Sequence, residues 1–205
     1  LTGKLQLDCF PRLELLTLWS VNIESLASWQ ECDECHIELP CLRELQTMNC
    51  RNLIGFVGGG VLLAPKLTVL SMFGCKNLWS LPEEMHISLP SVRFIYVENC
   101  EEFEGFPRES ELLSLRQLRI SECPYFLCFR NGGRLMMPKL TSLKFCRCEK
   151  LRTLPEEMLI SLPCLQSLSI QECKEFESFP EECNLPSLEN LKILDCPNFV
   201  GFPHG

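Results

Sequence analysis

The chain is poor in the residues that most often carry catalysis: 3 histidines, 2 tyrosines and 3 tryptophans among 205 residues. His36, His86 and His204 lie far apart in sequence, and no Ser/His/Asp or Cys/His set assembles around them. No G-x-x-x-x-G-K-[ST] phrase occurs, so nucleotide binding is not expected of this segment, and no cofactor is implied. Excess positive charge is missing too. Lys and Arg number 19 against 27 Asp and Glu, and a net charge of −8 disfavours non-specific nucleic-acid binding. Apolar runs such as Val61–Ala64 are four residues, far below the roughly 20 that span a bilayer. The start, Leu-Thr-Gly-Lys-Leu-Gln, has neither the charged region nor the apolar stretch of a signal peptide. It also has no initiator Met, as expected of a segment from a longer protein. No Asn heads an N-x-[ST] glycosylation sequon.

Cysteine, by contrast, is abundant. Fifteen would suit a disulfide framework, but the count is odd and the chain is too large to need stapling. Their placement decides the matter. From Pro40 the chain reads Pro-Cys-Leu42-Arg-Glu-Leu45-Gln-Thr47-Met-Asn-Cys50-Arg-Asn-Leu53-Ile-Gly-Phe56; from Pro65 the same pattern returns around Cys75. The template L-x-x-L-x-(I/L)-x-x-C-x-x-(L/F)-x-x-(L/F)-P recurs with Cys100, Cys123, Cys148, Cys173 and Cys196, and an earlier copy puts Val21 in the cysteine slot. That makes eight copies spaced by 23–29 residues, inside the leucine-rich-repeat range. The series of intervals, 25, 25, 23, 25, 25 and 23, itself repeats after 73 residues. Leu81-Pro-Glu-Glu-Met85 matches Leu154-Pro-Glu-Glu-Met158, and Cys100-Glu-Glu-Phe-Glu-Gly-Phe-Pro107 matches Cys173-Lys-Glu-Phe-Glu-Ser-Phe-Pro180 at that offset. A duplicated three-repeat block is inferred, within a single solenoid segment over 1–205 that leaves no room for a separate catalytic domain.

The expected fold is an α/β leucine-rich-repeat solenoid. The apolar pair flanking one residue in each copy has the period of a short strand. No repeat can bury that face alone, so the copies stack into a curved parallel sheet over a shared core. Prolines at both ends of each turn leave irregular loops and short helical turns on the convex side. The slot cysteines form an inward ladder, one per repeat, where a small and weakly polar side chain can pack inside and meet backbone groups. Structural thiols of this kind fit a reducing compartment.

The repeat phrase, with its recurrent Leu-Pro-Glu-Glu-Met and Leu-Pro-Ser-Leu, resembles the C-terminal region of plant NB-LRR disease-resistance proteins, the coiled-coil subclass most closely, from about Phe10 to Pro203. The resemblance implies a cytoplasmic immune receptor, with nuclear or membrane-peripheral placement also compatible. Its ATP/ADP-binding switch domain would lie outside this segment. The repeats would sense a pathogen effector, directly or through a guarded host protein, and contact the rest of the receptor to restrain it. The substrate-recognition arm of an F-box ubiquitin ligase and an extracellular repeat receptor are the alternatives. The missing sequons and the many unpaired-looking thiols speak against the second. The 29-residue interval from Val21 to Cys50 departs from the pattern and holds an irregular insertion.

That insertion carries Cys32-Asp-Glu-Cys35-His36, the literal C-x-x-C-H of haem attachment. Haem needs a second axial ligand and a pocket that nothing here supplies. Zinc on Cys32, Cys35 and His36, with Cys41 as a further ligand, is chemically more reasonable, yet only half of a tetrahedral set is visible. Free thiols in a loop are the simpler reading. Gly58–Gly60 and Asn131–Gly133 fall in corresponding loops of the block and read as turns. The recurrent Glu pairs (83–84, 101–102, 156–157, 181–182) read as a solvated flank.

Strand alternation defines the outward face. In the first four copies it presents Leu15, Thr17, Trp19; Glu44, Gln46, Met48; Val69, Ser71, Phe73; and Phe94, Tyr96, Glu98, of which seven are apolar or aromatic. In the last four it presents Gln117, Arg119, Ser121; Ser142, Lys144, Cys146; Ser167, Ser169, Gln171; and Asn190, Lys192, Leu194, with only two apolar. The expected partner-binding residues are therefore Trp19, Met48, Phe73, Phe94 and Tyr96 as anchors, with Arg119 and Lys144 steering an acidic element.

Overall fold

The computed structural model describes residues 7–26, 37–55, 62–82, 84–107, 109–128 and 134–202. In chain order these form a 3-10 turn (Leu7–Cys9), β1 (Leu15–Trp19), β2 (Ile37–Glu38), β3 (Glu44–Met48), β4 (Leu62–Leu63), β5 (Val69–Phe73), α1 (Met85–Ser88), β6 (Phe94–Glu98), β7 (Glu109–Glu111), β8 (Gln117–Ser121), β9 (Arg134–Met136), β10 (Ser142–Cys146), α2 (Glu156–Ile160), β11 (Ser167–Gln171) and β12 (Asn190–Leu194). Eight of these strands build one parallel sheet in the order β1-β3-β5-β6-β8-β10-β11-β12. Each of its strands thus lies beside the strands of the neighbouring repeats.

The register holds across the whole sheet. Leu16, Leu45, Leu70, Ile95, Leu118, Leu143, Leu168 and Leu191 stand opposite one another in one inward column. Leu18, Thr47, Met72, Val97, Ile120, Phe145, Ile170 and Ile193 form the other. A slip of one residue would turn both columns to solvent, so burial fixes the pairing. The long interval after Val21 does not disturb it: Leu16 still faces Leu45. From β3 to β11 both columns are buried, and the leucines that precede each strand, Leu42 and Leu67 among them, are fully enclosed.

The cysteine ladder is in place. From Cys50 to Cys173 the slot thiols are buried, and none of the described cysteines is bonded to another. Each reaches back to backbone carbonyls: Cys50 Sγ lies 3.5 Å from Leu18 O, Cys123 Sγ 3.3 Å from Ser121 O, and Cys148 Sγ 3.7 Å from both Ile120 O and Cys146 O. A thiol is small enough for the space between strand end and core, and its weak S–H donor engages a carbonyl that leucine or alanine would leave unmet.

The residue before each slot explains how the chain turns inward. Ser20, Asn49, Gly74, Asn99, Glu122, Arg147, Glu172 and Asp195 all have φ between 51° and 64°. This left-handed kink lets one more N–H join the sheet ladder, as in Asn49 N–H to Phe73 O at 2.7 Å and Glu122 N–H to Cys146 O at 2.8 Å. The next residue then swings its side chain into the core. At Gly74 a Cβ would run into Asn49 Oδ1, so glycine answers both the backbone angle and the close approach.

The opposite side of the solenoid also follows the 73-residue offset. Two-residue β2 pairs in parallel with β4, Ile37 opposite Leu62; at the offset β7 pairs with β9, Ser110 opposite Leu135. One-turn helices α1 and α2 come next, each followed by a proline, Pro90 or Pro163, that blocks a longer helix. The offset orders the aromatic packing as well. Phe103 stacks on Phe126 at 5.9 Å with Phe106 edge-on, and Phe176 stacks on Phe199 at 5.8 Å with Phe179 edge-on.

Candidate interaction face

The sheet face turned away from the core carries all seven residues expected at a partner-binding surface. Trp19, Met48 and Phe73 occupy the last position of β1, β3 and β5 and follow one another in register. Phe94 continues the first outward column after Val69, and Tyr96 continues the middle column after Ser71. With strands about 4.8 Å apart, the five form one apolar-aromatic surface across four strands. Trp19 is 67% exposed and Phe73 37%; Met48, Phe94 and Tyr96 are half-buried. Leu15, 53% exposed, extends the surface on β1.

Beyond β6 the face becomes polar and is tied together by its own side chains. The Tyr96 hydroxyl donates to Gln117 Oε1 at 3.3 Å, Arg119 Nε to Ser121 Oγ at 3.1 Å, and Gln171 Nε2 to Ser169 Oγ at 2.9 Å. Ser121 and Ser169 are consequently buried, although they stand on the outward side. Arg119 and Lys144 differ in one respect. The Arg119 guanidinium lies 3.7 Å from the Glu98 carboxylate, whereas Lys144 has no ion pair among the described residues. Part of the Arg119 charge is therefore already answered within the sheet.

Where the chain leaves the strands, the charges are paired from repeat to repeat. Arg147 sits between Glu122 at 2.7 Å and Glu172 at 2.8 Å, and these two carboxylates, Glu172 foremost, raise its pKa. Lys150 and Arg152 share Glu175, Lys174 meets Glu149, and Lys76 meets Glu101.

The buried thiols behave as core. Desolvation pushes Cys123 up to about 12 and raises Cys128 as well. Cys100 and Cys148 are raised first by the hydrogen bond each shares with the next-door thiol, Cys75 or Cys173, and then by burial. Protons thus stay on Cys100, Cys123, Cys128 and Cys148 at neutral pH, while their partners Cys75 and Cys173 are lowered, foremost by the hydrogen bond each receives from Cys100 or Cys148. Among the described residues no cluster of three or more His, Cys, Asp or Glu side chains could hold a metal ion. Cys32, Cys35 and His36 lie outside the described residues; Cys41 is half-buried beside β3. Among the described residues no helix is long and apolar enough to cross a membrane. An open cleft of about 480 Å³ lies at the strand exits of β1 and β3, lined by Ser20, Val21, Asn22, Asn49, Arg51 and Asn52.

Among solved structures the chain is similar to the leucine-rich repeat domain of the type III effector XopL, with a TM-score of 0.56 and 21% identity over 92% of this chain and 71% of that one. The chain has the leucine-rich-repeat fold. No protein-family model matches it, and no curated protein does. In this leucine-rich-repeat sheet two features escaped the sequence reading. One is the left-handed position before each cysteine. Asn49, Gly74 and Asn99 are the residue types that favour it, but Glu122, Arg147 and Glu172 hide the pattern. The other is a row of cations at the strand entries, Arg93, Arg116 and Lys139, with no ion pair among the described residues, which strand alternation does not flag because they lie just outside the strands.

Proposed function

We propose that this chain is a protein-recognition module that takes its partner on the apolar-aromatic half of the sheet face and catalyses nothing. The carrying observation is the contiguous exposure of Trp19, Met48, Phe73, Phe94 and Tyr96 on a rigid sheet. Aromatic residues held on such a scaffold are the usual anchors of interfaces, and large apolar patches seldom stay uncovered without a binding role. Replacing Trp19 or Phe73 with alanine is expected to weaken partner binding while changing stability by no more than about 0.5 kcal/mol, because neither contributes to the core. Thermal melts of the variants check the second half of that statement. An unfolded Trp19→Ala chain would show that the residue is core and would remove the face from consideration.

The finer reading is the sensor segment of an intracellular plant immune receptor, recognising a pathogen effector or a guarded host protein and contacting the remainder of the receptor. The Leu-Pro-Glu-Glu-Met and Leu-Pro-Ser-Leu phrases support it, and the free ladder thiols favour a reducing, cytoplasmic setting. The fold itself is neutral on this point, since a type III effector's repeat domain shares it. On this reading ATP or ADP binds in another domain, and no cofactor binds the repeats. The full-length transcript tests it. A P-loop nucleotide-binding domain upstream is the required outcome. An F-box there, or a signal peptide with a membrane span, would reassign the module to a ubiquitin-ligase arm or an extracellular receptor.

A further inference from the structure

We infer that Arg93, Arg116 and Lys139 form an acid-recognising rim on this face, so that the partner segment lying over Phe73, Phe94 and Tyr96 carries a run of carboxylates beside its apolar anchor. The inference rests on protein recognition by the sheet face and specifies the chemistry of what is recognised.

Arg93 and Arg116 immediately precede β6 and β8, and Lys139 lies in the turn before β10. Backbone bonds join these entry points in sequence: Arg116 N–H to Arg93 O at 2.8 Å, then Thr141 N–H to Arg116 O at 2.9 Å. The two guanidinium groups therefore emerge from adjacent repeats, about 4.8 Å apart at the backbone. All three cations are exposed, and half-buried Lys144 lies further along β10 in the middle column, opposite Arg119.

Their electrostatic situation is unlike that of the cations at the strand exits. Lys76, Arg147, Lys150, Arg152 and Lys174 each meet a carboxylate there. Arg93, Arg116, Lys139 and Lys144 have no ion pair among the described residues, in a chain whose net charge is −8. At the exits Glu98, Glu122 and Glu172 are already answered by Arg119 and Arg147. The entry row is acidic only at its ends, Glu14 (paired with Arg43) and Glu189, so the unanswered charge across the middle of the face is cationic. A partner carboxylate is drawn to these unanswered cations rather than to the already paired charges at the exits, which orients the bound segment as well as attracting it. Nucleic acid is the poorer fit. The cationic row is short against the length a polyphosphate offers, in a chain whose net charge is −8.

The test is selection of a random short-peptide display library on the immobilised 205-residue chain, on Arg93→Glu/Arg116→Glu, and on Phe73→Ala/Tyr96→Ala. Peptides recovered on the parent chain should join an aromatic or aliphatic residue to two or more acidic ones. Those peptides should bind the charge-reversed variant about tenfold more weakly at low salt, with the gap closing as salt is raised. Thermal melts of the variants should match the parent. Recovery of acid-free peptides that bind the charge-reversed variant undiminished, but fail on Phe73→Ala/Tyr96→Ala, overturns the rim and leaves the recognition face standing. Absence of any peptide that depends on Phe73 or Tyr96 overturns both. Equal competition by a single-stranded deoxythymidine oligonucleotide would also sink the inference, because the row would then be a general polyanion strip.

Discussion

The two 73-residue blocks share a skeleton and differ on one surface. Inward residues keep their character across the offset: Leu45 and Leu118, Leu70 and Leu143, Ile95 and Leu168, Val97 and Ile170 are all buried. Outward residues do not. Phe73, Phe94 and Tyr96 in the first block correspond to Cys146, Ser167 and Ser169 in the second, and Gln46 and Ser71 correspond to Arg119 and Lys144. The core even compensates, since Met72 inside the first block becomes Phe145 inside the second, where it stacks on Phe126 at 5.3 Å. Packing constrains one face of each strand and leaves the other free. The divergence therefore reports what the free face is used for, an apolar landing surface in one block and hydrogen-bonded polar groups in the other.

The largest expected effect breaks the shared skeleton. Leu70→Ala and Leu143→Ala should each cost about 3 kcal/mol in urea titrations, because each empties a fully enclosed site between two neighbouring strands. Similar losses from both would show that the blocks are equivalent inside; a loss below about 1 kcal/mol at either would mean that its layer relaxes, and the comparison would fail there. A second effect separates the blocks by pH. Burial favours the protonated thiol in the folded chain, so the stabilisation is complete below the ordinary thiol pKa of 9.0 and is lost as pH rises through the raised value, about 12 for Cys123. Above pH 9 stability should fall by up to about 1.4 kcal/mol per pH unit for that group. Its counterpart Cys50 is raised too, by desolvation first, with hydrogen bonds from the Val21, Met48 and Ser20 backbone opposing the rise. Melts at pH 7, 9 and 10 on Cys123→Ala and Cys50→Ala should show the alkaline decline flattened more by the first.

Much of this architecture is legible in the residues. The Leu–Leu–Ile spacing names the strands, and the constant distance to the next cysteine names their register. The seven face residues follow from alternation alone, because inward burial leaves no other orientation. What stays hidden depends on geometry between repeats. Nothing near Glu98 in sequence announces that it answers Arg119, which lies one strand over. The burial of Ser121 and Ser169 comes from neighbouring Arg119 and Gln171 folding over them. The short β2–β4 and β7–β9 pairs are too brief for periodicity to register.

The smallest effects concern the left-handed position, where the blocks answer one backbone demand differently. The first uses Asn49, Gly74 and Asn99; the second uses Glu122, Arg147 and Glu172. Asn and Gly tolerate φ near +55° at little cost, whereas other residues with a Cβ are disfavoured there by about 1–2 kcal/mol. Placing the second block's residue in the first, as Gly74→Arg, should therefore destabilise the chain by about that amount. The Cβ meets Asn49 Oδ1, and no carboxylate stands at Asn49 or Asn99 to engage the guanidinium. The reverse exchange, Glu122→Asn with Arg147→Gly and Glu172→Asn, relieves the backbone but deletes both ion pairs of Arg147. Those pairs are exposed, so salt screens them. The exchanged chain should equal or exceed the parent in stability at high salt and lose most of its advantage at low salt. Urea titrations at the two salt concentrations read this directly. If the exchanged chain is the weaker one at high salt as well, the Glu–Arg–Glu bridge holds the three repeats together by contacts other than charge, and the two solutions to the turn are not interchangeable.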